Sequence, residues 1–254
     1  MYDCVGDVHG CHAELCSLLK ELGYVRTVVG DRVTLRHPEG RKVVYVGDLN
    51  DRGPDSSAVF ALVMDSVACG DALAVIGNHD DKLMRYLKGA KITPGHGLAE
   101  TIAQLETGTP EFRAKILAFL EKLPIELSLD GGKLSVSHAG LSEDLQGKTN
   151  NKAKSRALFG KTTGKTDANG FPERLDWARD YKGSAIVVHG HTPMEEYRAV
   201  NNVHCIDQGC CFGGSLTALR YPEMTLVQVK AERNYQPFHP FGKNATEVKE
   251  KDTA

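Results

Sequence analysis

Apolar and polar positions follow two periods along this chain, and each change of period marks an element. Tyr2-Asp3-Cys4-Val5-Gly6 reads as a strand, and Leu15, Leu18, Leu19 and Leu22 recur behind it at helical spacing, closed by Gly23. Residues 24–41 predict a β-hairpin excursion ending in His37-Pro38-Glu39-Gly40-Arg41. The β-branched run Val43-Val44-Tyr45-Val46 stops at Gly47 and Asp48, and Pro54-Asp55 open a helix through Val59, Leu62, Val63 and Val67 that Gly70 ends. A third strand, residues 72–76, stops at Gly77 and is followed by Asn78-His79-Asp80-Asp81. Three βα units that each end in Gly with Asp, Asn or His bring their polar tips to one edge of a parallel sheet. That edge is where open α/β sheets place ligands.

Residues 80–123 should be mostly helical, with Leu83, Met84 and Leu87 on one face, then 101–105 and 112–123; these stripes read as core. A strand over 133–137 delivers His138-Ala139-Gly140. Residues 142–173 are polar, rich in Lys, Thr, Gly and Asn, and predict a mobile or capping insertion. Arg174, Trp177 and Arg179 follow in a short helix, and the strand Ala185-Ile186-Val187-Val188 empties into His189-Gly190-His191-Thr192-Pro193. The strand Val203-His204-Cys205-Ile206 gives Asp207-Gln208-Gly209, and strands over 216–220 and 224–230 precede a mixed-charge tail expected to fray. The expected organisation is one α/β domain over 1–230 containing the insertion, then a tail over 231–254.

Composition excludes more than it selects. At 254 residues, 41% hydrophobic and 25% charged, the chain is long enough for a full core and has the make-up of a soluble globular protein. A net charge of -2 gives no global basic footprint for nucleic acid. Met1 leads almost at once into a strand, leaving no room for a signal peptide, and no apolar run approaches membrane-spanning length, so a cytoplasmic location is expected. Seven cysteines form no CxxC pair and read mostly as small core residues. Gly160-Lys161-Thr162-Thr163-Gly164-Lys165-Thr166 invites a P-loop reading, but its first Gly is one residue too close and no buried strand or apolar helix flanks it.

The candidate chemistry lies at the strand ends, where Asp7 and His9, Asp48 with Asp51 and Arg52, Asn78 and His79, His138, His189 or His191, and Asp207 converge. They offer O and N donors without a thiolate, a set suited to Mn²⁺, Fe or Zn²⁺, and enough of them for two ions sharing a carboxylate. A pair of ions about 3.5–4 Å apart is the standard clamp for in-line displacement at phosphorus.

Gly6-Asp7-Val8-His9-Gly10, Gly47-Asp48 through Asp51-Arg52-Gly53, Gly77-Asn78-His79-Asp80, His138-Ala139-Gly140 and Gly190-His191-Thr192 occur in order. With these five motifs the chain resembles the calcineurin-like metallophosphoesterases of the phosphoprotein-phosphatase type, from residue 2 to about 230. Within that family, the segment 37–41, the polar insertion and the stretches Ile206-Asp207-Gln208-Gly209 and Gly213-Gly214-Ser215-Leu216-Thr217-Ala218-Leu219 are similar to two bacterial groups. These are the small diadenosine-tetraphosphatase-like enzymes called PrpE and the phosphatase module of polynucleotide kinase-phosphatase.

The resemblance implies a four-layer αββα sandwich and two divalent metal ions, Mn expected, with Fe, Zn, Ni or Co compatible. Carried over by position, Asp7 and His9 would bind the first ion, Asp48 would bridge, and Asn78, His138 and His191 would bind the second. His191 is preferred to His189 because the family's ligand stands between Gly and Thr. Asp51 would orient His79 as leaving-group acid, Arg52 would clamp the phosphate, and Arg179 or Arg174 would supply a second Arg. Asp207 would belong to the inner or second shell. Departures are Asn50, where an aliphatic residue is usual, and Gln208, where Thr is common. The implied activity is hydrolysis of a small nucleotide or phosphoester substrate, first of all diadenosine tetraphosphate. A Ser/Thr protein phosphatase, an RNA 2′,3′-end phosphatase and a catalytically dead binding or scaffold protein are the alternatives. Lys148, Lys152, Lys154, Arg156, Lys161 and Lys165 of the insertion could add positive charge for a polyphosphate.

Overall fold

The computed structural model describes residues 1–30, 32–166 and 172–236. β1 (Tyr2–Val5) leads to α1 (His12–Glu21), the hairpin β2 (Val25–Val29) and β3 (Arg32–Arg36), then β4 (Lys42–Tyr45), α2 (Ser56–Ala68) and β5 (Ala72–Ala74). Next come α3 (Asn78–Leu87), α4 (Leu98–Glu106), α5 (Pro110–Leu120), β6 (Leu127–Leu129), β7 (Leu134–Val136), α6 (Asn151–Phe159), β8 (Thr162–Thr166) and β9 (Pro172–Arg174). The chain continues as β10 (Ile186–His189), β11 (Arg198–Val200), β12 (Val203–Cys205), β13 (Asp207–Gln208), β14 (Ser215–Tyr221) and β15 (Thr225–Lys230).

One sheet runs β13-β14-β1-β4-β5 with β15 also on β14, and the second runs β11-β12-β10-β7-β6. β1, β4 and β5 pair in parallel, as do β7, β10 and β12, so both sheets aim strand C-termini at the same kind of edge. The strand period of two serves two cores. Val5, Val43 and Tyr45 pack with Leu15, Leu18, Val59 and Leu62 of α1 and α2, while Cys4, Val44 and Val46 pack with Leu134, Val136 and Val188 of the second sheet. Outside the second sheet, Ala178 and Tyr181 lie on Val187 and Val203. The result is the layered α/β sandwich, with a fourth layer reduced to the 3-10 turn Trp177–Asp180 against that outer face.

Local departures have local causes. Asp55 lies outside α2 and caps it, accepting from Ala58 N–H at 2.8 Å. Arg174 sits in β9 and not in a helix with Trp177, because 172–174 pair antiparallel with β8. Thr162–Thr166 of the glycine-lysine run form the β8 strand of that hairpin and not a loop ahead of a helix; residues 167–171 of the insertion lie outside the described residues. The first residues of the expected tail are packed: Ala231 is buried and Tyr235 O–H donates to Glu14 at 2.6 Å. Residues 237–254 of the tail lie outside the described residues.

At the sheet end opposite the catalytic motifs, Arg41 is buried and gives its fork to Asp3 at 2.8 Å and to Glu223 at 2.8 Å, with a further bond to the Tyr221 carbonyl. Tyr24 O–H also reaches Asp3, at 2.9 Å. The hairpin β2–β3 is tied down by Asp65 and Asp71, which accept from Val33 N–H and Leu35 N–H. No helix among the described residues is long and apolar enough to cross a membrane.

Candidate metal centre

Asp48 occupies the centre. Its loop is shaped by Asp80, whose carboxylate accepts from Asp48 N–H at 2.8 Å, Leu49 N–H at 3.0 Å and Gly77 N–H at 2.8 Å. An acid at the third position of a helix, reaching back to its N-cap, is a capping-box signal legible in sequence, although the sequence reading assigned Asp80 no role. Gly77 must be glycine because a Cβ there would strike Asp48. The Asp48 carboxylate accepts from His79 N–H at 2.9 Å and faces His9 Nε2 at 3.5 Å and His138 Nε2 at 3.4 Å. Ligand-capable atoms of Asp48, His138 and His191 lie within 4.8 Å of one another, as do those of His9, Asp48 and His79.

Backbone carbonyls fix the histidine tautomers. His9 Nδ1–H donates to Asn50 O at 2.9 Å and His138 Nδ1–H to Val46 O at 3.0 Å, so the Nε2 atom of each ring is turned to Asp48. Arg52 Nη1 donates to His9 Nε2 at 2.7 Å. Asn78 Oδ1 and His191 Nδ1 stand 2.9 and 3.0 Å from His138 Nε2. Asp7 accepts from His191 N–H at 3.0 Å, and a Cβ at Gly190 would strike its other oxygen. His9, Asp48, Asp51, Arg52 and His191 all have φ between +45° and +72°, a left-handed conformation unfavourable for residues with a Cβ.

Charge is concentrated here. Burial pushes the Asp7 carboxyl well above its ordinary value, with Asp207 and Asp48 adding to the rise. Burial pushes Asp48 up too, but His138, His79 and His9 outweigh it and hold Asp48 well below the usual carboxylate range. His9 and His191 are lowered, chiefly by burial, with Arg52 acting on the first and His138 on the second. Burial lowers His138, but Asp48 reverses the sign and leaves it raised.

This arrangement fits divalent cations. Asp7 Oδ1 and His191 Nε2 are buried without a hydrogen-bond partner among the described residues, and the donors are carboxylate, carboxamide and imidazole. Cations held there would satisfy the two atoms and offset the mutual repulsion of Asp7, Asp48 and Asp207.

Beside this cluster, His79 Nδ1–H donates to Asp51 at 2.6 Å. The other Asp51 oxygen accepts from Asn50 Nδ2 at 2.6 Å and Thr101 Oγ1 at 2.7 Å. Thr101 and Asn50 were not legible as site residues; Thr101 arrives from α4, and its place in the sequence carries no motif. Asp207 is buried and accepts from Gly209 N–H at 3.0 Å; burial raises its carboxyl. The two arginine candidates separate. Arg179 is turned to Asp176 at 2.7 Å with its side chain 77% exposed, so it is not brought to the cluster. Arg174 donates to Phe159 O at 3.3 Å; desolvation lowers its guanidinium, and Asp207, Asp7 and Asp48 offset part of that. His189 packs on Trp177 with ring centroids 6.0 Å apart and donates to Gly190 O, a packing role.

Parallel strands ending in this histidine-carboxylate cluster, with an arginine and an acid dyad beside it, agree with the family match: residues 2–227 fit the calcineurin-like phosphoesterases, and the chain belongs to that family. A bis(5′-nucleosyl)-tetraphosphatase PrpE, asymmetrical, from Anoxybacillus flavithermus is 44% identical, with 95% of this chain and 99% of that protein covered. Its counterpart from Geobacillus thermodenitrificans is 42% identical, covering 92% and 96%. A crystal structure of a candidate diadenosine tetraphosphatase aligns with a TM-score of 0.63 at 26% identity, covering 91% of this chain and 93% of the other. A protein serine/threonine phosphatase from Saccharomyces cerevisiae shares the fold alone, with a TM-score of 0.60 at 14% identity over 96% and 82% of the two chains.

Proposed function

We propose that the protein is a two-metal bis(5′-nucleosyl)-tetraphosphatase that cleaves diadenosine tetraphosphate asymmetrically, releasing ATP and AMP. The observation that carries the substrate is the likeness over nearly the whole of both chains to relatives named for that activity, at 44% and 42% identity. Asp7 and His9 would hold one ion, Asn78, His138 and His191 the other, and Asp48 both. Mn²⁺ is the first choice for this thiolate-free set. Ions so held would neutralise phosphoryl oxygens and acidify a water for attack at phosphorus.

The chain's own groups do the rest. Arg52, whose Nη1 lies 2.7 Å from His9 Nε2, would turn its planar fork to two phosphoryl oxygens. His79, held by Asp51, would protonate the departing nucleotide oxygen. Arg174 is the second arginine in this reading, facing the phosphates that follow the one under attack. With all seven cysteines free, the enzyme is assigned to the reducing cytoplasm.

The test is a turnover panel of diadenosine tetraphosphate, a phosphopeptide and an RNA 2′,3′-cyclic phosphate with manganese-loaded enzyme. Diadenosine tetraphosphate should be consumed fastest, giving ATP and AMP in equal amounts, and excess chelator should stop it. Preference for either other substrate, or ADP as sole product, would overturn the substrate assignment. Full activity in chelator would overturn the metal assignment.

A further inference from the structure

Behind the catalytic edge lies a second cluster that the reaction does not use. Cys11 occupies the N-cap of α1, Glu14 the first turn of that helix, and Cys210 the turn between β13 and β14. All three are buried, and their sulfur and oxygen atoms lie within 4.8 Å of one another. The two thiols, 199 positions apart in sequence, lie within that span, and the Cys11 thiol donates to His9 O at 3.6 Å. One Glu14 oxygen is satisfied, accepting from Tyr235 O–H at 2.6 Å and Glu232 N–H at 3.1 Å. The other, Oε2, is buried with no partner among the described residues.

Core packing explains the cysteines but not the carboxylate, because leaving a buried polar atom unsatisfied costs about 1–3 kcal/mol, more for a charge. A metal ion accounts for all three side chains. We propose that Cys11, Glu14 and Cys210 form a second, structural metal site that takes a soft or borderline divalent ion, Zn²⁺ before all. Donors around a tetrahedral zinc, with Zn–S about 2.3 Å and Zn–O about 2.1 Å, stand roughly 3.5 Å apart, inside the span observed here. Two thiolates discriminate against Mn²⁺, whereas the oxygen and nitrogen set around Asp48 accepts it, so the two sites can hold different metals in one molecule. The ion would join the loop carrying His9 to the loop that follows Asp207.

Cobalt separates the two sites, since only a thiolate ligand gives sulfur-to-cobalt charge-transfer absorption in the near ultraviolet. Full-length protein, reduced, stripped of metal and then saturated with Mn²⁺, is titrated with Co²⁺. The band should saturate at one equivalent in the wild type and in Asp48→Asn, and vanish in Cys11→Ser and Cys210→Ser. Glu14→Gln should bind cobalt at least about tenfold more weakly. Zn²⁺ added to the Mn²⁺-loaded wild type should raise its Tm and leave that of Cys210→Ser unmoved. A wild type without the band overturns the proposal even if the serine variants misfold. So does a band that survives both serine substitutions, or an unchanged affinity in Glu14→Gln.

Discussion

In the proposed mechanism His79 can deliver a proton only while its ring stays in one tautomer and one orientation, and Asp51, 2.6 Å from its Nδ1, would hold it so. The Asp51 carboxylate is itself held by Asn50 and Thr101, one from its own loop and one from α4. Replacing His79 with Ala should slow diadenosine tetraphosphate hydrolysis about 10²–10⁴-fold while sparing para-nitrophenyl phosphate, whose leaving group departs without a proton. Asn50→Val should show the same substrate pattern in weaker form, because one hydrogen bond onto a charged group is worth about 1.5–3 kcal/mol and Thr101 remains. Steady-state kinetics on both substrates with metal analysis checks the pair; equal losses on both substrates, or lost metal, would show that these residues act through the metal ligands. Motif residues such as Asp7 and His79 were legible because they sit in short local patterns. Asn50 and Thr101 were not: their role depends on a contact across 50 positions for Thr101, and on side-chain direction in a left-handed loop for Asn50.

Among the elements, those lying in apolar runs were legible, even the three-residue β5, β7 and β12, whereas β6, β11 and the nine-residue α6 of the polar insertion were not. Leu15, Leu18 and Leu19 make α1 plain, but β6 and β11 are three residues each, too few for alternation to show, and exist by pairing to β7 and β12. The segment ending in Arg41 was legible as a hairpin but not in its role, and the structure makes Arg41 the clamp of the far sheet end. Arg41→Met would leave Asp3 buried with only Arg220 and Tyr24 for compensation, costing about 3 kcal/mol, the lower end for a broken buried pair. Urea unfolding should show that loss with kcat of the folded protein unchanged. Hydrogen bonds from Arg41 hold the Glu223 carboxyl at about 2, against 4.5 ordinarily. Because the folded value is depressed, its stabilisation is full above 4.5 and disappears as pH falls through about 2. Melting curves across that interval should therefore fall less steeply for Glu223→Gln than for the wild type.

For the molecule as a whole, the near-neutral charge conceals an uneven distribution. Of the insertion's cations, Lys152 and Lys154 are paired with Asp144 and Asp81, and Arg156 binds Gly160 O. Lys148, Lys161 and Lys165 have no ion-pair partner among the described residues. If Lys161 and Lys165 draw in the polyphosphate, neutralising both should raise KM for diadenosine tetraphosphate about tenfold at low salt and much less at high salt, with para-nitrophenyl phosphate unaffected. Equal KM values would leave the insertion a passive cap. The left-handed backbone at His9, Asp48, Asp51, Arg52 and His191 bears on why these residues stand there. Each such residue costs the fold about 1 kcal/mol that glycine would not. Glycine would sit in these loops without that strain, so it is the ligand and acid-dyad side chains, and not the turn of the backbone, that keep residues with a Cβ there.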